Sequence, residues 1–203
     1  MLSLSESLGN EFEYAGKIYH IDLAFDTVLR FYEMLDDERL EDAEKVATAF
    51  EMFFNQPVKN ADFAVNAFEQ ISKYISMKPY GNDDEDNSSN QPVARDPRQL
   101  YSFQQDAEAI FASFYDQYGM NLIQEQGKLH WDEFKALFQG LGPQTYFQRI
   151  IEIRTKDTKD LEGEQLSKVI QAQQFYELDV NKSQAAKEEQ FANFGEILKN
   201  WAQ

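Results

Sequence analysis

Apolar residues recur along this chain at two different periods. Between residues 11 and 22, EFEYAGKIYHID, the period is two: Phe12 and Tyr14 alternate with acids, and Tyr19 and Ile21 alternate with His20 and Asp22. Gly16 sits where the turn of a β-hairpin belongs. From residue 26 onward the period is three to four. Asp26 is placed to cap a helix running to Leu35, with Val28, Leu29, Phe31, Tyr32 and Leu35 on its apolar face. Leu40, Ala43, Val46, Ala47, Phe50, Phe53 and Phe54 predict a second helix over roughly 39–54, with Pro57 just beyond it. Asn60 is a suitable cap for a third, with Phe63, Ala64, Ala67, Phe68, Ile71, Tyr74 and Ile75 on one face, stopping before Pro79.

The pattern is interrupted at residues 79–98, PYGNDDEDNSSNQPVARDPR, which are acidic, hold three prolines and carry almost no large apolar groups. They read as a linker. Beyond it, helices are predicted over roughly 103–118, closed by Gly119, and 130–139, with Trp131, Phe134, Leu137 and Phe138 on its face. Pro143 is placed for the first turn of the next, which carries Phe147, Ile150 and Ile151. Two further helices are expected, roughly 160–177 and 183–201. The fold class expected is therefore mainly α: a bundle of about seven helices with a small N-terminal β-hairpin. Three regions follow: 1–78, the linker 79–98, and 99–203.

Composition narrows the function classes. The chain has 203 residues with a net charge of −17, so its general field repels nucleic acid and anionic membranes. Its 17 Phe and 10 Tyr supply ample material for a folded core. Without cysteine it has no disulfide and no thiolate metal site. The start of the sequence carries no basic residues and no long apolar run, so no secretory signal is expected. No apolar stretch approaches membrane-spanning length.

Chemistry is sparse. His20 and His130 lack helical i, i+4 spacing and any HExxH pattern. Counted as an EF-hand from Asp84, the linker acids place Ser89 where glycine is required and Arg95 where the bidentate Glu belongs. No nucleophile elbow, phosphate loop or dinucleotide fingerprint is present, so neither an enzyme nor a cofactor is expected. The segment QEQGKLHW, residues 124–131, holds a histidine beside a tryptophan. Gly127 separates a short turn from the helix that Trp131 anchors, which places His130 at or near the cap. Trp131, Phe134, Gly119 and Gly127 are read as structural.

Two features are candidate partner surfaces. Arg149 and Arg154 lead a basic concentration continued by Lys156 and Lys159; it reads either as a solvated helix end or as an interaction patch. Phe191, Phe194, Leu198 and Trp201 form a stripe at helical spacing, which either docks on the parent fold or binds elsewhere.

Residues 106–154, DAEAIFASFYDQYGMNLIQEQGKLHWDEFKALFQGLGPQTYFQRIIEIR, and the N-terminal GKIYHIDLAFDTVLRFYEML resemble the gene-product-fifteen family of tailed phages and prophages of Gram-positive bacteria. Asp132 departs from that pattern, which often has a second aromatic residue after Trp131. The resemblance implies a protein encoded between the tail-tube and tape-measure genes, the place of tail assembly chaperones. It implies binding to the tape-measure and tail-tube proteins in the host bacterial cytoplasm, self-association, absence from the mature virion, and no catalytic residues. The rival readings are a minor structural tail protein retained in the virion and an acidic DNA mimic.

Overall fold

The computed structural model describes residues 2–77 and 99–182. The linker at 79–98 and the stripe Phe191, Phe194, Leu198 and Trp201 lie outside the described residues. The protein is mainly α, with seven helices and one two-stranded antiparallel sheet among the described residues. They form two compact units, and chain order does not separate them: Gly119–Gly140 belongs with the hairpin and the first three helices, although it follows the linker.

In the first unit, β1 (Glu11–Tyr14) pairs with β2 (Lys17–His20), setting Phe12 opposite Tyr19. Ala15 and Gly16 take φ of +50° and +74° at the tip, the left-handed pair that matches the twist of a two-residue hairpin. The inward ring, Phe12, meets Phe54 edge-on and Phe63 at a tilt, and Tyr14 stacks on Phe63 at 4.4 Å between centroids.

Helix α1 (Phe25–Leu35) begins one residue earlier than its expected cap. Asp26 is not that cap. Asp22 organises the turn instead, accepting from the Ala24 N–H and the Thr27 hydroxyl, both at 2.9 Å. Asp26 lies in the first turn and accepts a 2.8 Å bond from the Gly127 N–H, a partner 101 residues away that local pattern cannot reveal. Helix α2 (Asp42–Phe54) starts later than expected because Glu41 and Glu44 close a reciprocal capping box. Asn55, in the left-handed region at φ +52°, ends it. Helix α3 (Ala61–Ser76) has the expected cap, with the Asn60 side chain accepting from the Phe63 N–H at 3.0 Å. The inner faces converge on an aromatic core in which Phe31 contacts Phe53 and Phe68, and Phe50 stacks on Phe54.

Residues 119–140 complete this unit. Gly127 has φ +70°, a conformation that suits glycine, and its N–H makes the bond to Asp26. Residues 129–131 then pair with 23–25: Phe25 donates to the Leu129 carbonyl and Trp131 to the Leu23 carbonyl. Helix α5 is Trp131–Gln139 and His130 is its N-cap.

The second unit contains α4 (Ala107–Tyr118), α6 (Tyr146–Thr155), α7 (Gly163–Phe175) and a 3-10 turn at Asp179–Asn181. Helix α4 is shorter than its apolar pattern, since residues 103–106 form turns. Gly119 follows it at φ +64°. Helix α4 packs on α6, and the buried Ser113 hydroxyl donates to the Ala109 carbonyl and accepts the Phe147 N–H at 2.9 Å. Pro143 is not in the first turn of α6. Thr145 is the N-cap, its hydroxyl accepting from the Gln148 N–H, so Pro143 lies before the helix.

Candidate functional site

The strongest candidate is a cleft in the first unit, about 470 Å³ in volume, between the base of the hairpin and the last turns of α3. Phe12 of β1 and Ile21, which follows β2 and donates its N–H to the Asn10 carbonyl at 2.8 Å, both line it beside Leu23. Helical spacing puts Ile71 and Tyr74 on the face of α3 that forms the opposite wall, with Met77 at its end. Phe12, Ile21, Leu23 and Ile71 are buried, whereas Met77 is exposed at the lip. Glu11, Gln70 and Lys73 give the cleft a polar rim carrying both signs of charge.

Tyr74 joins the cleft to a buried polar cluster. Its hydroxyl donates to Asp132 Oδ2 at 2.5 Å, and Lys135 Nζ lies 3.0 Å from Asp132 Oδ1. Burial, reinforced by the Asp132 hydrogen bond, raises the Tyr74 hydroxyl far above its ordinary range. Burial alone would raise Asp132, but the Tyr74 and Lys135 contacts outweigh it and hold the carboxyl below its ordinary range. Lys135 also lies over the rings of Trp131 and Tyr74, 5.7 and 5.9 Å from their centroids.

His130 stands beside this cluster in a capping role. Its Nδ1 accepts the Asp132 N–H at 3.1 Å and its own N–H donates to Glu133 Oε2 at 3.2 Å. An accepting Nδ1 puts the proton of the neutral ring on Nε2. That nitrogen is buried and makes no hydrogen bond in the structure. Burial pushes the imidazole below its ordinary pKa, against the pull of the Asp132 and Glu133 carboxylates and the Gly9 backbone. Among the described residues no group of three or more His, Asp or Glu side chains is arranged to hold a metal ion.

The residues read as structural have definite partners. Trp131 is 3% exposed, donates from its indole N–H to the Ile75 carbonyl at 3.0 Å and stacks on Phe134. Phe134 in turn stacks on Phe25 and Phe138. The basic residues of the second unit divide. Arg149 and Lys156 are exposed. The Arg154 side chain is 8% exposed and grips buried Asp106 through two bonds of 2.7 Å, while also donating to the Tyr176 and Leu100 carbonyls. Arg154 is thus taken up inside its own unit. Sequence reading missed Tyr74, Asp132 and Lys135 as one group, because Tyr74 scans as one more apolar position and its partner is 58 residues away.

The family described as bacteriophage Gp15 protein matches residues 4–178. The chain belongs to this bacteriophage family. Both the cleft and the Tyr74–Asp132 cluster fall inside the matched span of the Gp15-family protein, and residues 183–203 fall outside it. Neither the curated proteins nor the solved structures yield a match to it.

Proposed function

We propose that this phage protein is a non-catalytic tail assembly chaperone. In this reading it acts in the host cytoplasm, binds amphipathic helices of the tape-measure protein, keeps them soluble, and releases them as tail-tube subunits assemble. The observation that supports it is the apolar cleft with its mixed-charge rim in the first unit, whose walls suit the helix-in-groove mode. The net charge of −17 keeps such a carrier soluble and speeds its encounter with basic segments more than it strengthens binding.

The test is co-expression with the tape-measure protein, affinity capture, and mass spectrometry of purified virions. Capture of the tape-measure protein, weakened about tenfold by Met77→Glu at the cleft lip, with the chaperone absent from virions, is the expected result. Stoichiometric recovery from virions would instead identify a minor structural tail protein. Unimpaired capture by Met77→Glu would move the binding surface away from the cleft.

A further inference from the structure

The cleft of the first unit has two charged lining residues, and they stand on different walls: Glu11 on the hairpin and Lys73 on α3. Both are exposed, and neither side chain has an ion-pair or hydrogen-bond partner among the described residues. Gln70, the other polar group of the rim, is already engaged, its amide donating to Asn66 Oδ1 at 2.8 Å. Phe12, Ile21, Leu23 and Ile71, which also line the cleft, are buried. The cleft is thus an apolar trough with a free anion on one edge and a free cation on the other.

Its α3 wall runs from Gln70 to Met77, about 10 Å of helix. That length seats two turns of a partner helix, whose apolar side chains at i, i+3 or i+4, and i+7 enter together. The wall is already formed, since the Tyr74 hydroxyl is held by Asp132 Oδ2 and its ring needs no ordering on binding.

A helix lying apolar side down in a trough presents one flank to each wall. Turning it end for end exchanges the flanks. Unlike charges on the two walls therefore distinguish the two directions. In one, a basic flank meets Glu11 and an acidic flank meets Lys73. In the other, both meetings are between like charges. Each rim contact is weak alone, because it is solvated and screened, but two that change sign together separate the directions by about tenfold.

We infer that Glu11 and Lys73 are direction-setting residues: the cleft seats a two-turn apolar stretch with a basic flank toward the hairpin and an acidic flank toward α3, and so admits it in one chain direction. The inference rests on the groove reading proposed above and adds to it the charge pattern and direction of the bound segment. A second copy of the chain is the rival occupant, and a charge of −17 on each copy opposes that pairing.

The test titrates the full chain with two short synthetic helical peptides that share one two-turn leucine stripe. One carries lysines on its left flank and glutamates on its right, and the other has the flanks exchanged. A nitroxide at the peptide N-terminus broadens the amide signals of the cleft end it reaches, read at Gln70 and Met77. The first peptide is expected to favour one end about tenfold, and the exchanged peptide the opposite end. Glu11→Lys combined with Lys73→Glu is expected to invert both patterns, and circular dichroism checks that this surface variant keeps the fold. Equal broadening of both ends, or the same end broadened by both peptides, would overturn the inference while leaving the groove in place. Binding of neither peptide would overturn the groove reading and the inference with it. In that case a dimer in sedimentation equilibrium that Met77→Glu dissolves would assign the cleft to a second copy.

Discussion

Helix α5 has nine residues and buries four of them, Trp131, Asp132, Phe134 and Phe138, whereas α7 has thirteen and buries none. The longer helix has the better intrinsic length, yet the shorter one is the better anchored. In α5 the Trp131 indole N–H, the aromatic face and a buried carboxylate each have a partner supplied by another element of the same unit: the Ile75 carbonyl, the Phe25 ring and the Tyr74 hydroxyl. In α7 the fixed points are polar and lie near its C-terminal end: Gln173 on two carbonyls, and the Arg154 fork on the Tyr176 carbonyl. The difference shows that helix length says little about stability here. What counts is how much of each helical face meets a complementary surface.

Mutations that probe this contrast should fall in a definite order. Trp131→Ala removes a buried indole and its bond to Ile75, and is expected to cost about 3–5 kcal/mol in urea unfolding followed by circular dichroism. A loss below about 1 kcal/mol would refute α5 as an anchor. Arg154→Met leaves the buried Asp106 carboxylate unpaired and is expected to cost about 3 kcal/mol, with faster amide exchange at 99–106 and at the end of α7. Asp132→Asn weakens two charge-assisted contacts and is expected to cost about 1.5–3 kcal/mol. Ile170→Ala, on the exposed side of α7, is expected to change stability by about 0.5 kcal/mol. An effect as large as that of Trp131→Ala would abolish the distinction between the two helices.

The α5 cap also sets a pH dependence. His130 has a lowered pKa in the folded protein, so near and below pH 6.5 the unfolded chain binds its proton more readily than the folded one. Its contribution is therefore complete above 6.5 and is lost as pH falls from 6.5 toward the folded pKa. Protonation also converts Nδ1 from acceptor to donor, which removes the bond from the Asp132 N–H. His130→Asn keeps an accepting cap without the titration, and is expected to flatten stability over that interval by the same urea measurement. An unaltered slope would mean that other groups set the acid response.

Local chemistry was legible in the sequence wherever it was self-contained. The hairpin tip, the Asn60 cap and the placement of His130 at the start of α5 depend on neighbours within a few residues, and period and capping rules captured them. The expectation failed where a distant residue decided. Asp26 reads as a cap but is drawn to Gly127, and Asp22 organises the turn instead. Arg154 reads as part of a surface patch, but its partner is Asp106, 48 residues earlier. The partner of Asp132, the Tyr74 hydroxyl, lies 58 positions away. The cleft was illegible for the same cause, since its two walls come from the hairpin and α3.

The placement of Gly119–Gly140 bears on how the protein is made. The first unit cannot close when its first three helices leave the ribosome, because Trp131 and its neighbours have not yet been synthesised. At about 5–20 residues per second, the wait from residue 78 to residue 140 lasts roughly 3–12 seconds. During that interval Phe25 lacks Phe134, and the Ile75 carbonyl lacks the indole N–H. The same geometry rules out dissection by one cut: a fragment ending at residue 78 lacks α5, and a fragment starting at residue 99 carries Trp131 and Phe134 without the surfaces they fill. Nascent phage chains therefore pass through a stage in which an aromatic-rich half-core is exposed in a crowded cell, and the speed of translation through residues 79–140 sets how long that stage lasts.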